Sequence, residues 1–216
     1  MHGIAISAGY GAGGSVVAPA VARELGLALL DRAISVTVAA ELGVSVHEAE
    51  TAQPSRSLAD RFLSLLAPLA GGVLGAGTDA APPSEVAVGD DAAEFREQAE
   101  RVMRAALATG AVILGRAGTV AFRDEPAVLR VRLFGTRAAR LAQAMRWEGI
   151  DLPTAQQRMK QVDAARDHYV RRLYRCGADE PAVFHLQIDS TVLPLPTCAD
   201  LIVTAYRSMT VTTEVD

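Results

Sequence analysis

The 216 residues, half of them apolar, carry a formal net charge of −4, enough chain for one domain, 1–216, with a central sheet covered on both faces and room for a smaller insertion. That acidic balance argues against a nucleic-acid partner held by bulk charge. Cys176 and Cys198 have no C-x-x-C partner and no clustered His, so neither a disulfide framework nor a structural zinc is indicated, and both are expected to be reduced thiols.

In chain order, a short apolar strand is expected at 3–7, then the turn Gly9-Tyr10-Gly11-Ala12-Gly13-Gly14-Ser15, then an apolar helix at 16–25. Leu29-Leu30 can add a sheet edge. Helical patterns at 33–42 and 60–67 lead into a stretch, 67–91, of Gly, Ala, Pro and small polar residues centred on Ala81-Pro82-Pro83-Ser84. Such a composition buries too little apolar surface for a rigid core of its own, so it reads as a spacer or as a flap over substrate. A helix at 92–109, strands at 111–114 and 129–134, and a helix at 137–146 follow. The longest helix is expected at 154–173, after Pro153, and short strands at 186–188 and 201–204. Alternation of β-rich runs with longer amphipathic ones is the signature of an α/β fold with a parallel sheet.

The N-terminus enters a strand and a glycine turn rather than a basic region and an apolar helix, so no signal peptide is expected. The longest uncharged stretch, 62–78, carries Pro68 and several glycines and is shorter than the ~20 apolar residues of a spanning helix. A cytoplasmic chain with no membrane partner is the expectation.

The opening turn has the layout of a phosphate cradle. Glycines let the backbone approach an oxyanion closely, and amides at a helix N-terminus point at one anion. Against G-x-x-x-x-G-K-[ST], Gly9 and Gly14 fit, but Ser15 stands where a lysine would reach the β- and γ-phosphates and Val16 where a hydroxyl would hold magnesium. Glycine turns of this kind also serve dinucleotide folds, but no Asp or Glu closes a second strand at the expected distance. Basic charge is nearly all arginine, Lys160 being the one lysine; a GC-rich genome is cause enough, and planar guanidinium forks also suit phosphate sites.

Further along, Ala111-Val112-Ile113-Leu114-Gly115-Arg116-Ala117-Gly118, the strand ending at Phe134, Arg140, Glu148-Gly149-Ile150 and Asp163-Ala164-Ala165-Arg166 stand in an order and spacing that resembles the cytidylate kinase-like family of P-loop nucleoside monophosphate kinases. The resemblance runs from residue 3 to about 205 and is weakest between about 43 and 91. It implies a three-layer α/β/α sandwich around a parallel sheet, an acceptor-binding insertion at 31–108 and a helical lid at 136–175. It implies that Gly9, Tyr10, Gly11, Ala12, Gly13, Gly14, Ser15 and Val16, with Arg140, meet the donor phosphates. Leu30-Asp31-Arg32 is similar to the family's acceptor-side Tyr-Asp-Lys, and Arg116 matches the arginine that grips the acceptor phosphate. Asp163 and Arg166 match the Asp-x-x-Arg in which Arg meets the transferring phosphoryl group and Asp orients the acceptor sugar or its arginine neighbours. Asp189-Ser190-Thr191 resembles the turn before the final helix.

Four residues depart from that pattern. Ser15 and Val16 remove the loop's cation and hydroxyl, Ala117 replaces an Asp, and Gln143 replaces a frequent lid Arg. The implied activity is transfer of the ATP γ-phosphoryl group, with Mg2+, to a nucleoside monophosphate, CMP or dCMP first; the alternative is a degenerate kinase fold that binds a nucleotide or phosphorylated metabolite without turnover. Arg137, Arg171 and Arg172 can also be read as solvated helix-face residues, and Asp163 as a local i,i+3 partner of Arg166. His47, His168 and His185 are read as non-catalytic, Trp147 as lid packing or as a cover for a base, and Tyr169 and Tyr174 as packing residues.

Overall fold

A computed structural model describes residues 2–31, 89–115 and 117–212. The helices expected at 33–42 and 60–67, nearly all of the 67–91 stretch, and Arg32, His47 and Arg116 lie outside the described residues.

Strand β1 (Gly3–Ala8) is fully apolar at its centre, with Ile4 and Ala5 at 0% exposure, which suits a position inside a parallel sheet covered on both faces. It feeds the glycine turn and α1 (Gly14–Leu25). The edge strand β2 (Ala28–Leu30) follows, and helix α2 (Gly89–Thr109) leads back to β3 (Ala111–Leu114). After the short α3 (Gly118–Ala121) come β4 (Val128–Phe134), α4 (Arg137–Glu148) and α5 (Leu152–Tyr174). A 3-10 turn (Pro181–Val183), β5 (Leu186–Asp189) and α6 (Leu195–Thr212) complete the described chain.

Five strands pair in the order β2-β3-β1-β4-β5, each neighbouring pair parallel. Side chains alternate across this sheet. On one side Ile4, Ile6, Val131 and Leu133 pack against Val17 and Val21 of α1 and Cys198, Ile202 and Tyr206 of α6. On the other, Ala5, Ile113 and Val128 pack against Met103 and Leu107 of α2 and against Phe122. The result is an α/β sandwich whose central strand, β1, ends at the glycine turn, where the carboxyl edge of a parallel sheet offers a crevice.

Helix α2 begins at Gly89, three residues before the expected start, and two further differences from the sequence expectation have a local physical cause. Residues 201–204 belong to α6 rather than to a strand; Ile202, Val203 and Tyr206 are buried against α1 and the sheet while Leu201 is 43% exposed, so a one-sided helical stripe overrides the β-branched run. Helix α5 starts earlier than Thr154 because Asp151 caps it, accepting the Thr154 amide at 3.0 Å, with Pro153 inside the first turn.

One polar staple closes the sheet's α2 side. Arg130 of β4 is only 8% exposed and donates to the carbonyls of Val183 (2.7 Å) and Phe122 (3.3 Å), while its Nη2 lies 2.6 Å from Nε2 of His185. A neutral imidazole can accept that bond and an imidazolium cannot. Burial, then the Arg130 charge, lowers the His185 pKa from its ordinary 6.5. The folded chain therefore binds fewer protons than the unfolded one as pH falls through that value, so stability is fully present above it and declines below it. As pH falls from about 7 to about 5, the melting temperature of the wild type should fall further than that of His185→Gln, as followed by circular dichroism.

Candidate functional site

The glycine turn is built to hold its shape without a lysine. Gly11 and Gly13 sit at φ +74° and +78°, and Gly13 caps α1, taking the Val16 and Val17 amides at 3.0 Å. Three consecutive carbonyls of the turn are each held by a different side chain: Tyr10 O by Arg140 Nη1 (2.9 Å) and Gly11 O by Gln143 Nε2 (2.9 Å), both from α4, and Ala12 O by Ser190 Oγ (2.7 Å). In a trans peptide the N–H points opposite to the C=O, so fixing these oxygens turns the Gly11 and Gly13 amides to the other side of the loop. Among the described residues, the Gly14 and Ser15 amides at the start of α1 donate to no protein atom, and Ser15 and Val16 are exposed. Such amides, with the helix dipole behind them, are what an anion would meet.

Helices α4 and α5 press directly on this turn. Asp163 Oδ1 accepts the Tyr10 amide at 2.9 Å and Oδ2 accepts Arg140 Nη1 at 2.9 Å, with the two side chains only 27% and 16% exposed. A Cβ on Gly9 would stand 2.6 Å from Arg140 Nη1, and one on Gly11 2.2 Å from the Arg140 carbonyl oxygen. Both glycines are thus demanded by the packing of α4 as well as by any ligand. The Tyr10 ring packs beside Leu141, Ala155 and Met159. Its hydroxyl donates to Glu148 at 2.8 Å, and Glu148 also takes Arg158. Burial and the Glu148 carboxylate push the phenol up to about 12, so it stays a donor at neutral pH.

A cavity of about 780 Å³ opens beside Gly9, between the end of β4 and α5. Arg166 reaches across it, donating to Ser7 Oγ at 3.3 Å and to both Asp179 oxygens at 3.0 and 3.1 Å. Arg132 meets the same carboxylate at 3.1 Å.

The structure brings Gly9, Arg140, Asp163 and Arg166 around one cavity, with the Tyr10 backbone against the Arg140–Asp163 pair, while Gly11 to Val16 do not line that cavity. Asp163 pairs with Arg140 rather than with Arg166. Asp31 follows β2 directly, apart from these contacts and at the edge of the described residues, so an acid does close the second strand, contrary to the sequence expectation. Arg171 pairs with Asp167 on the surface, in keeping with a solvated helix face. Trp147 is 45% exposed, and its ring edge comes within 3.3 Å of where a Cβ on Gly13 would stand, so it borders the turn. Sequence reasoning missed Asp179, Arg132 and the grip of Gln143 and Ser190 on the loop; Arg132 shares a strand face with Arg130, an i,i+2 spacing that could have drawn attention to both.

Alanine at Gly11 meets both a positive φ and the Arg140 carbonyl. Gly11→Ala should lower stability by about 2–4 kcal/mol in a denaturant melt, against less than about 1 kcal/mol for Ala at Gly177, where a Cβ would meet nothing within 4 Å.

Comparison with solved structures gives a TM-score of 0.61 at 16% identity to an uncharacterized protein from Eubacterium ventriosum, covering 96% of this chain and 99% of that one. A gluconokinase from Sinorhizobium meliloti aligns over 100% of this chain and 98% of that one, with a TM-score of 0.49 and 12% identity. A shikimate kinase from Acinetobacter baumannii aligns over 100% and 96%, at 0.45 and 15%. No curated protein sequence matches the chain. A profile of the cytidylate kinase-like family matches residues 3–192, nearly the whole span that the sheet and crevice occupy, and the chain belongs to that family.

Proposed function

We propose that the protein is a nucleotide-dependent phosphoryl transferase, moving the γ-phosphoryl group of ATP to a nucleoside monophosphate, with CMP or dCMP the first acceptors to try. The observation that carries this reading is the position of Arg140: a guanidinium delivered by α4 lies against the glycine turn, in contact with Tyr10 O and Asp163, and on leaving those partners it can supply the positive charge that Ser15 does not.

In this reading the Gly14 and Ser15 amides and the α1 dipole hold the donor phosphates, and α4–α5 act as a lid over residues 136–175. Phosphoryl transfer asks the protein for positioning and for charge where the transition state spreads it. Arg140 and Arg166 supply that charge. The Pγ–O bond to ADP breaks as an oxygen of the acceptor phosphate bonds to Pγ, and an acceptor dianion needs no base. The family resemblance assigns the acceptor phosphate to Arg116 and the acceptor side to Asp31 and Arg32. Asp163 holds Arg140 in register and leaves the Tyr10 amide as ligand enters. Val16 presents an exposed alkyl group, 48% accessible, in place of a hydroxyl, so the loop gives magnesium no side-chain ligand at that position. A second reading, binding without turnover, is favoured by the Asp163 carboxylate already seated on the Tyr10 amide.

The test is ADP release with ATP, magnesium and each nucleoside monophosphate, beside the fluorescence of Trp147, the one tryptophan. The wild type should turn over a pyrimidine monophosphate, and Arg140→Gln should lower the rate by a factor on the order of 10²–10³. Fluorescence change on ATP addition without ADP release would favour the second reading.

A further inference from the structure

Asp179 is held by two guanidiniums at once. It lies between α5 and the 3-10 turn, and its carboxylate takes Nη2 of Arg166 on both oxygens (3.0 and 3.1 Å) and Nη2 of Arg132 (3.1 Å). The two cations come from different elements, α5 and β4, and both are set in place by contacts that do not involve Asp179. Arg132 stacks on the rings of Phe134 and Phe184, 5.5 and 5.8 Å from their centroids, and donates to Gln187. Arg166 reaches Ser7 at the end of β1, and its Nε is buried with no partner among the described residues. The guanidinium side chains are 22% and 23% exposed, whereas the Asp179 side chain is 46% exposed. A fixed pair of arginine forks, partly shielded from water, is thus occupied by an accessible carboxylate on a turn.

We infer that Arg132 and Arg166 form an anion subsite for the terminal phosphoryl group of a polyphosphate, and that Asp179 is an internal place-holder which the ligand displaces. Geometry supports this: Gly9 at the start of the glycine turn, Arg132, Arg166 and Asp179 line the same cavity, so an anion bound by the arginine pair sits in the space into which the turn opens. Charge supports it as well. An anionic group between two guanidiniums forms short charge-assisted bonds, and removing it leaves two cations facing each other at a cost that an entering phosphate relieves. Asp179 offsets one of the two positive charges, which lowers affinity for any anion by the strength of the contact that must first break. The inference deepens the proposed function and rests on its reading of the crevice as a phosphate site.

Inorganic tripolyphosphate, followed by titration calorimetry on the full chain, tests this without requiring turnover. Asp179→Asn, which keeps shape and removes the charge, should tighten tripolyphosphate binding on the order of tenfold. Glu180→Gln is the control for simple charge removal, because Glu180 lines the same cavity and forms no ion pair among the described residues; it should change the affinity by less than about twofold. Adding Arg132→Gln to Asp179→Asn should abolish the gain. Should Asp179→Asn fail to fold, Asp179→Ser carries the same expectation. Equal gains from Asp179→Asn and Glu180→Gln, or no gain from the former beside measurable wild-type binding, would overturn the place-holder and leave the phosphate site standing. Absence of binding to every variant would overturn both.

Discussion

The contact between Arg140 and Asp163, 2.9 Å long and set against the Tyr10 peptide, is the constraint on which the site depends. A glycine-rich turn has few conformational restraints of its own, and ordering it costs more entropy than ordering other residues. Here the cost is met from outside the turn. Arg140 and Gln143 from α4, Asp163 from α5 and Ser190 from the turn after β5 each take one backbone group, and the glycines at 9 and 11 exist in a form that lets α4 approach closely enough to do so. The same contact places a cation against the Tyr10 carbonyl of the loop.

The arginines of the crevice already carry acidic partners of their own. Asp163 occupies Arg140 and a loop amide, and Asp179 occupies Arg132 and Arg166. Each carboxylate does locally what a phosphate oxygen would do, so the arginines are kept oriented rather than dispersed into solvent. Partly buried guanidiniums need such partners to be tolerable. In the proposed function, pre-orientation of this kind would serve phosphoryl transfer once a ligand took the place of the acids, and it would set a threshold that weakly bound anions do not pass.

The fold was legible wherever the local pattern and the tertiary role agreed. The strand at 3–7, the glycine turn, the strands near 111–114, 129–134 and 186–188 and the helices that flank them follow from apolar runs and amphipathic periods. The run at 201–204 misled because Ile202, Val203 and Thr204 favour strands locally, while burial of Ile202, Val203 and Tyr206 on one helical face decides the matter. At the site, the loop, Arg140, Asp163 and Arg166 were visible through spacing and resemblance. Which acid pairs with which arginine was not, because Asp179 is brought to Arg132 by a turn and a strand 47 positions apart in sequence, and no local period encodes such a contact. Gln143, which reads as the loss of an arginine, is 5% exposed and donates to Gly11 O; its function is to hold the loop.

The central claim is that the loop's missing cation has moved from position 15 to Arg140, and exchanging the two tests it most directly. ATP affinity is to be measured by calorimetry in Arg140→Gln and in Arg140→Gln combined with Ser15→Lys. The account predicts a loss on the order of tenfold or more in the single variant and recovery of most of it in the double variant, because one cation at the mouth of the loop suffices from either side. A double variant as weak as the single one, or a single variant as strong as the wild type, would contradict it.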